Sequence, residues 1–209
     1  MSDFGRDTAR SIPQTVDMSI DAGLRAFMLG VYNKMALGLL VSAGIAYAVA
    51  TVPAIRDLLF VVSPTGAFRG YTMPGMILAF APLALVLISG FAMRNPSPAG
   101  SAALYWGIVS LIGASGAVWV LRYTGGSIAS IVNIFLKQPM LYWIINAAGV
   151  LIFAGLTAYD TQRLKMTYYA IGGDEAGKAV ATNYGALSLY LDFINLFQFL
   201  LAFMGGRRE

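Results

Sequence analysis

The stretch Tyr184-Gly-Ala-Leu-Ser-Leu-Tyr-Leu-Asp192-Phe-Ile-Asn-Leu-Phe-Gln-Phe-Leu-Leu-Ala-Phe203 decides the fold class of this 209-residue chain. It is apolar and long enough for a transmembrane helix, yet it carries a carboxylate inside its length. Tyr184, Ser188, Asp192 and Asn195 are spaced by four, four and three residues, so on a helix they share one face. A polar stripe within a bilayer must face protein or water rather than lipid. We therefore expect other spans to surround this helix.

The composition of the whole chain predicts an all-α polytopic membrane protein. Hydrophobic residues make up 58% of the chain and charged residues only 11%, against a usual charged fraction of about 25%. Four runs without any Asp, Glu, Lys or Arg reach the roughly 18–20 residues that cross a bilayer as a helix. These runs are residues 35–55, 70–93, 95–121 and 138–159. A transmembrane β-barrel would show short alternating segments instead.

The same composition excludes several function classes. The chain has no Cys and no His, so it has neither thiolate chemistry nor the usual metal ligand and neutral-pH switch. The net charge of +4 reflects basic residues that flank spans, and we expect no nucleic-acid partner. Without these groups and without a Gly-x-Ser-x-Gly motif, we expect no enzymatic activity and no cofactor. Any proton sensing must use carboxylates.

The chain divides into a soluble amino-terminal segment (1–26), one transmembrane bundle (27–204) and a short tail (205–209). We predict a helical bundle of about six spans in which the last helix is central. The predicted spans are residues 27–50, 71–93, 101–121, 139–160 and 184–203, with a loop over 51–70 and a polar loop over 161–183. Residues 124–136 are too short for a confident span and suit a re-entrant or interfacial piece.

The first predicted span has two notable features. Gly38, Ser42, Ala46 and Ala50 recur every four residues, and such a small-residue stripe allows close helix contact. Lys34 lies near one end, where its long side chain can extend to the membrane interface.

Basic residues do not fix the topology of the second half. Arg6, Arg10 and Arg25 favour a cytoplasmic amino terminus. The number of Lys and Arg residues on each side is the same whether or not residues 124–136 cross. The positive-inside rule therefore leaves both topologies open.

Asp160 and Asp192 are the two acids that lie in or against apolar spans. If they meet, two carboxylates in a poorly solvated place do not both ionise readily, so the pair shares a proton. A proton lost as the pH rises would act as a gate, and the ionised pair would attract a hard cation. Calcium prefers about six to eight oxygen ligands, so we expect a weak transit site. The alternatives are that Asp160 caps a helix end and that Asp192 makes a structural hydrogen bond.

Two motifs resemble the paired signature of the Bax inhibitor-1 family, in particular its short bacterial members. They are Gly155-Leu-Thr-Ala-Tyr-Asp160-Thr-Gln162 and Gly185-Ala-Leu-Ser-Leu-Tyr-Leu-Asp192-Phe-Ile-Asn-Leu-Phe197, and residues 31–37 and 123–129 extend the resemblance. The resemblance implies a seven-helix fold with the last helix at its centre. It also implies a pH-sensitive calcium leak sensed by Asp160 and Asp192, in a multi-pass protein of the bacterial inner membrane.

The chain departs from the family pattern in two places. A Glu that some members carry in the second span has an apolar counterpart near Leu83, whereas Arg94 matches a basic residue near the gate. The family has full fourth and fifth helices where this chain has only residues 124–136. We therefore expect either an incomplete bundle or a topology that inverts after the third span.

Two function hypotheses follow. The first is a pH-sensitive leak for calcium or another cation, gated by Asp160 and Asp192 and supported by the stripe of Tyr184, Ser188 and Asn195. The alternative is a non-conducting membrane module that regulates another membrane protein, such as a membrane-bound protease complex. An aspartyl intramembrane protease is disfavoured, because neither Asp lies in a Gly-Leu-Gly-Asp setting.

Overall fold

A computed structural model describes residues 22–64, 68–92, 95–123 and 140–204. The predictions for residues 1–21, for Arg94, for segment 124–136 and for the tail lie outside these ranges. The elements are α1 (Ala22–Thr51), α2 (Pro53–Leu59), β1 (Phe60–Val62), β2 (Phe68–Tyr71), α3 (Met73–Ala92), α4 (Pro98–Tyr123), α5 (Met140–Ile171) and α6 (Glu175–Met204).

Five of the described helices, all except α2, are long and apolar enough to cross a membrane. This confirms the predicted helical membrane bundle. Helix α6 packs against α1, α4 and α5, and its core residues Ala186, Leu187, Leu189 and Tyr190 lie in the middle of the helix. The last helix therefore has three helical neighbours, as α4 does, so the prediction that the last helix alone is central is not confirmed.

The contacts between helices fix their directions. Ser42 of α1 contacts Val109 of α4 and Tyr190 of α6, and the earlier residue Lys34 contacts Asn183 of α6. Helices α1, α4 and α6 are therefore parallel, whereas α3 and α5 run the opposite way. We call the end of the bundle where α1, α4 and α6 begin the amino face, and the opposite end the carboxy face. Helix α4 ends and α5 begins at the carboxy face.

The small-residue stripe of α1 makes the close helix contact that we predicted, and its partner in the structure is α4. Gly38, Ser42, Ala46 and Ala50 are all buried. A Cβ atom on Gly38 would lie 2.1 Å from Tyr105 Oη, and one on Gly113 would lie 2.9 Å from the Cα and O atoms of Ser42. The two helix backbones therefore approach each other more closely than any larger residue would allow.

Gly113→Ala should lower the stability of the bundle by about 1–3 kcal/mol, the usual cost of inserting a methyl group into a packed contact. The clash is with the backbone of Ser42, which no side-chain rotation relieves. Thermal unfolding in detergent measures the effect. Gly116→Ala is the matched control, because a Cβ atom there meets nothing within 4 Å; equal melting temperatures for the two variants would contradict the packing.

Residues 51–70 are not the simple loop that we predicted. They contain α2 and the antiparallel hairpin of β1 and β2, in which Phe60 pairs with Tyr71. Pro53 begins α2, where its missing N–H costs nothing. Phe60 is buried in one apolar cluster with Val49 and Ala50 of α1 and Ala117 and Val118 of α4, so this cluster holds the hairpin on the carboxy face.

The prediction of a polar loop over residues 161–183 is also wrong. Helix α5 continues to Ile171 and α6 already begins at Glu175, so only residues 172–174 connect them. Gly172 adopts φ 62°, the left-handed conformation that ends a helix, and the Asp174 carboxylate accepts a hydrogen bond from the N–H of Ala176. Charged residues such as Arg163 and Lys165 mark the membrane surface, but they do not interrupt the helices.

Candidate functional site

The structure brings Asp160 and Asp192 together between α5 and α6. The carboxyl groups of Asp160 and Asp192 lie close enough to interact electrostatically. Ser188, one turn before Asp192, donates its hydroxyl hydrogen bond to Oδ2 of Asp160. Both aspartates are half-buried. The pair therefore lies within the helical bundle.

The tight turn after Ile171 sets this register. Helices α5 and α6 form an antiparallel hairpin about residues 172–174, so residues at similar distances from the turn meet. We predicted that Asp160 lies at a helix end. Instead it lies eleven residues before the last residue of α5, or ~16 Å along the helix. The interpretation of Asp160 as a helix cap is therefore wrong, since its hydrogen-bond donor is Ser188 of the neighbouring helix.

One carboxylate oxygen of the pair has no hydrogen-bond partner. Oδ2 of Asp192 is buried and unpaired among the residues that the structure describes. A buried acceptor without a donor is costly, and an ionised one more so. This atom is therefore satisfied best by a proton of its own or by a cation.

A cavity of about 510 Å³ leads to the pair from the half of the bundle nearest the amino face. Helices α3, α4, α5 and α6 all contribute to its wall. The polar residues that line it are Ser89, Asp160, Arg163, Thr167, Tyr184 and Ser188. The exposed residue Arg163 lies one turn after Asp160 on the same helix. The cavity therefore combines one acid and one base in an otherwise largely apolar wall.

The remaining predicted site residues have different places. Tyr184 lines the cavity with Ser188, so two members of the predicted stripe face the same space. Asn195 is half-buried on the next turn after Asp192, toward the carboxy face. Arg94 lies outside the described residues, so its predicted position near the gate stays a prediction.

Sequence reasoning missed a second polar cluster, on the other side of α6. Lys34 does not simply extend to the interface: its ammonium group donates to Oδ1 of Asn183 and lies 5.5 Å from the ring centroid of Tyr105. The amide of Asn183 donates to Ser101 at 2.7 Å. These contacts join α1, α4 and α6 near the amino face. The predicted loop over 161–183 included Asn183; the Gly172-Gly173-Asp174 break is the sequence signal that indicates a helix beginning before it.

The acidic pair suits transient binding of a metal ion better than a resident one. Within the described ranges, no group of three or more His, Cys, Asp or Glu side chains could hold a metal ion. Two carboxylates with nearby hydroxyl and amide oxygens fall short of the about six to eight ligands that calcium prefers. Weak calcium binding at Asp160 and Asp192 therefore stays a prediction.

The five membrane-length helices, two of which carry the paired carboxylates, define a polytopic helical membrane protein. A family described as inhibitor of apoptosis-promoting Bax1 matches residues 125–209. The inner membrane protein YbhL of Escherichia coli is 34% identical over 90% of this chain and 94% of its own length. The chain belongs to the Bax inhibitor-1 family, and it is a multi-pass protein of the bacterial inner membrane.

Two further relatives extend over nearly the whole chain. An uncharacterized protein of Caulobacter vibrioides is 57% identical over the full length of both chains. The uncharacterized protein RP147 of Rickettsia prowazekii is 35% identical over 91% of this chain and 94% of its own. The Caulobacter alignment has 251 positions against 209 residues here, so at least 42 positions have no residue of this chain. No solved structure matches the chain significantly.

Proposed function

We propose that this protein is a pH-sensitive leak for cations, calcium among them, controlled by the protonation of Asp160 and Asp192. The observation that carries the proposal is the buried, unpaired Oδ2 of Asp192 beside the carboxyl group of Asp160. Intramembrane carboxylates are expensive and are functional by default. A structural pair would be expected to satisfy both of its acids with protein donors.

The chemistry of the pair gives the direction of the pH dependence. At low pH a shared proton joins the two carboxyl groups, and the hydroxyl of Ser188 holds Asp160 in place. As the pH rises the proton is lost, and two negative charges then repel each other and attract a cation. Arg163 and Tyr184 line the cavity beside the pair, and Lys34 lies on the other side of α6. We therefore expect cation flux to increase with pH.

Purified chain in liposomes loaded with a calcium indicator tests the proposal. An inward calcium gradient should give flux above that of protein-free liposomes, and the flux should be larger in mildly alkaline than in mildly acidic buffer. A monovalent cation run in parallel measures selectivity, because a site of two carboxylates binds ions too weakly to be strictly selective. Flux that equals the protein-free value at every pH would contradict the leak.

The alternative proposal is a non-conducting module that regulates another membrane protein, such as a membrane protease complex. One observation favours it: at least 42 positions of the alignment with its Caulobacter relative have no residue of this chain. Crosslinking in native membranes tests this alternative, and recovery of self-contacts alone would count against it. Neither proposal includes catalysis or a cofactor.

A further inference from the structure

An aromatic pair lies one heptad from the carboxylate pair on both helices. Phe153 precedes Asp160 by seven residues on α5, and Phe199 follows Asp192 by seven residues on α6. Because seven residues are about two helical turns, each ring lies on the same side of its helix as the carboxylate, ~10 Å nearer the carboxy face. The two rings stack with centroids 5.6 Å apart and an interplanar angle of 29°.

The ring of Phe199 occupies this position because Gly149 has no side chain there. A Cβ atom on Gly149 would lie 2.4 Å from Cδ1 and 2.5 Å from Cε1 of Phe199, so the ring lies directly against the bare helix backbone. Gly155, on the same helix, has nothing within 4 Å of such a Cβ atom. The close approach at Gly149 is therefore specific to the contact with Phe199.

The two sides of the carboxylate pair differ in polarity. Toward the amino face the cavity offers Ser188, Tyr184, Thr167 and Arg163. Toward the carboxy face, Phe153, Phe199 and Gly149 form an apolar contact between α5 and α6 that contributes no polar side-chain atom. This contact lies between Asn195, one turn after Asp192, and the buried Asn146, seven residues before Phe153. An apolar constriction excludes water and raises the cost of passing an ion, which must shed its hydration.

We infer that Phe199, packed on Gly149 and stacked on Phe153, is a hydrophobic barrier that closes the path between the carboxylate pair and the carboxy face. The pair then exchanges protons and cations with the amino face through the cavity. Full passage requires the ring of Phe199 to move. This inference rests on the proposed function, because a barrier matters to transport only if ions cross.

The absence of cysteine from the natural chain makes the barrier directly testable. Thr157 is half-buried between Phe153 and Asp160 on the face of α5 that meets α6, so Thr157→Cys places one thiol on the pair's side of the barrier. A small membrane-impermeant thiol reagent is applied to vesicles of either orientation. We expect labelling from the amino face and little labelling from the carboxy face.

Opening the barrier should increase the labelling of Thr157→Cys from the carboxy face and leave its labelling from the amino face unchanged. Phe199→Ala removes the ring, and Gly149→Ala displaces it while keeping every aromatic atom. In either background, labelling of Thr157→Cys from the carboxy face should increase about tenfold or more, the change that lowering a barrier by about 1.4 kcal/mol produces. Gly155→Ala in the same helix should leave the rate unchanged.

Melting temperatures of Phe199→Ala and Gly149→Ala show whether the aromatic pair blocks a path or only stabilises the packing of α5 against α6. If the aromatic pair only holds the hairpin together, both variants would melt lower and labelling would increase from both faces, which would overturn the inference. Phe199→Leu provides a milder variant should Phe199→Ala fail to fold. Unchanged carboxy-face labelling in folded variants would also overturn it.

The same variants in the flux assay distinguish a failure of the proposed cation leak from a failure of the proposed hydrophobic barrier. Increased labelling without any cation flux would support the barrier and reject the leak. A pH-dependent flux in the parent chain that neither Phe199→Ala nor Gly149→Ala increases would support the leak and reject the barrier.

Discussion

Asp192→Asn is expected to remove most of the pH dependence of cation flux and to lower the flux itself by about tenfold or more. Asparagine has nearly the same size and shape but does not ionise, so Asp160 then has no second acid with which to share a proton. At an effective dielectric constant of 20, a unit charge 4 Å from a cation contributes about 4 kcal/mol of attraction. Losing one of two such charges therefore has a large effect on an ion that passes this point.

The flux of Asp192→Asn is measured in liposomes across a series of pH values. Asp57→Asn is the matched control, since Asp57 is an exposed carboxylate paired with Arg56 on α2, away from the pair. Ser188→Ala keeps both carboxylates and removes the hydroxyl donor to Asp160; it should preserve a pH dependence while moving its midpoint. An Asp192→Asn profile that follows the parent profile would show that the pair is not the sensor.

Reporters at the two ends of the chain are expected to lie on opposite sides of the membrane. The described part of the chain has five membrane-length helices, and their alternating directions take α1 from the amino face and α6 to the carboxy face. A fluorescent reporter that matures only inside and an enzyme that is active only outside, each fused before Met1 or after Glu209, should give opposite results. The expected difference is all or none.

Two internal positions serve as controls for the topology. A reporter inserted between Gly172 and Gly173 should agree with the amino-terminal fusion, because the turn between α5 and α6 lies at the amino face. One inserted between Ser63 and Pro64 should agree with the carboxy-terminal fusion, because the hairpin lies at the carboxy face. Amino- and carboxy-terminal fusions on the same side would contradict the helix directions.

The charge-free runs predicted the spans well because hydrocarbon tolerates few charges wherever a helix lies in it. The four-residue period of Gly38, Ser42, Ala46 and Ala50 likewise predicted a packing face, since close helix contact requires small side chains. Helix ends were predicted poorly. Charges at Arg163 and Lys178 indicate where the membrane surface lies, but a helix continues through water until a residue such as Gly172 ends it.

The contacts of site residues could be predicted only where both residues lie on the same helix or on two helices joined by a tight turn. Ser188 and Asp192 share a face because both lie on α6, and the tight turn at residues 172–174 then brings Asp160 opposite them. The contact of Lys34 with Asn183 depends on how α1 packs against α6, which no local pattern specifies. The seating of Phe199 on Gly149 was missed for the same reason: glycine in a span predicts close approach but not the residue that approaches.

Helices α4 and α5 meet at one face of the bundle, and this decides which insertions between them leave the other helices in place. A pair of antiparallel spans joined at Tyr123 and Met140 would leave and return on the same side, and at least 42 residues are enough for two crossings of about 20 each. Such a pair can be excised or reinserted as a unit, and no remaining helix has to turn over. A chain without such a pair therefore keeps the orientation of both aspartates, whereas a chain without a single span would invert them.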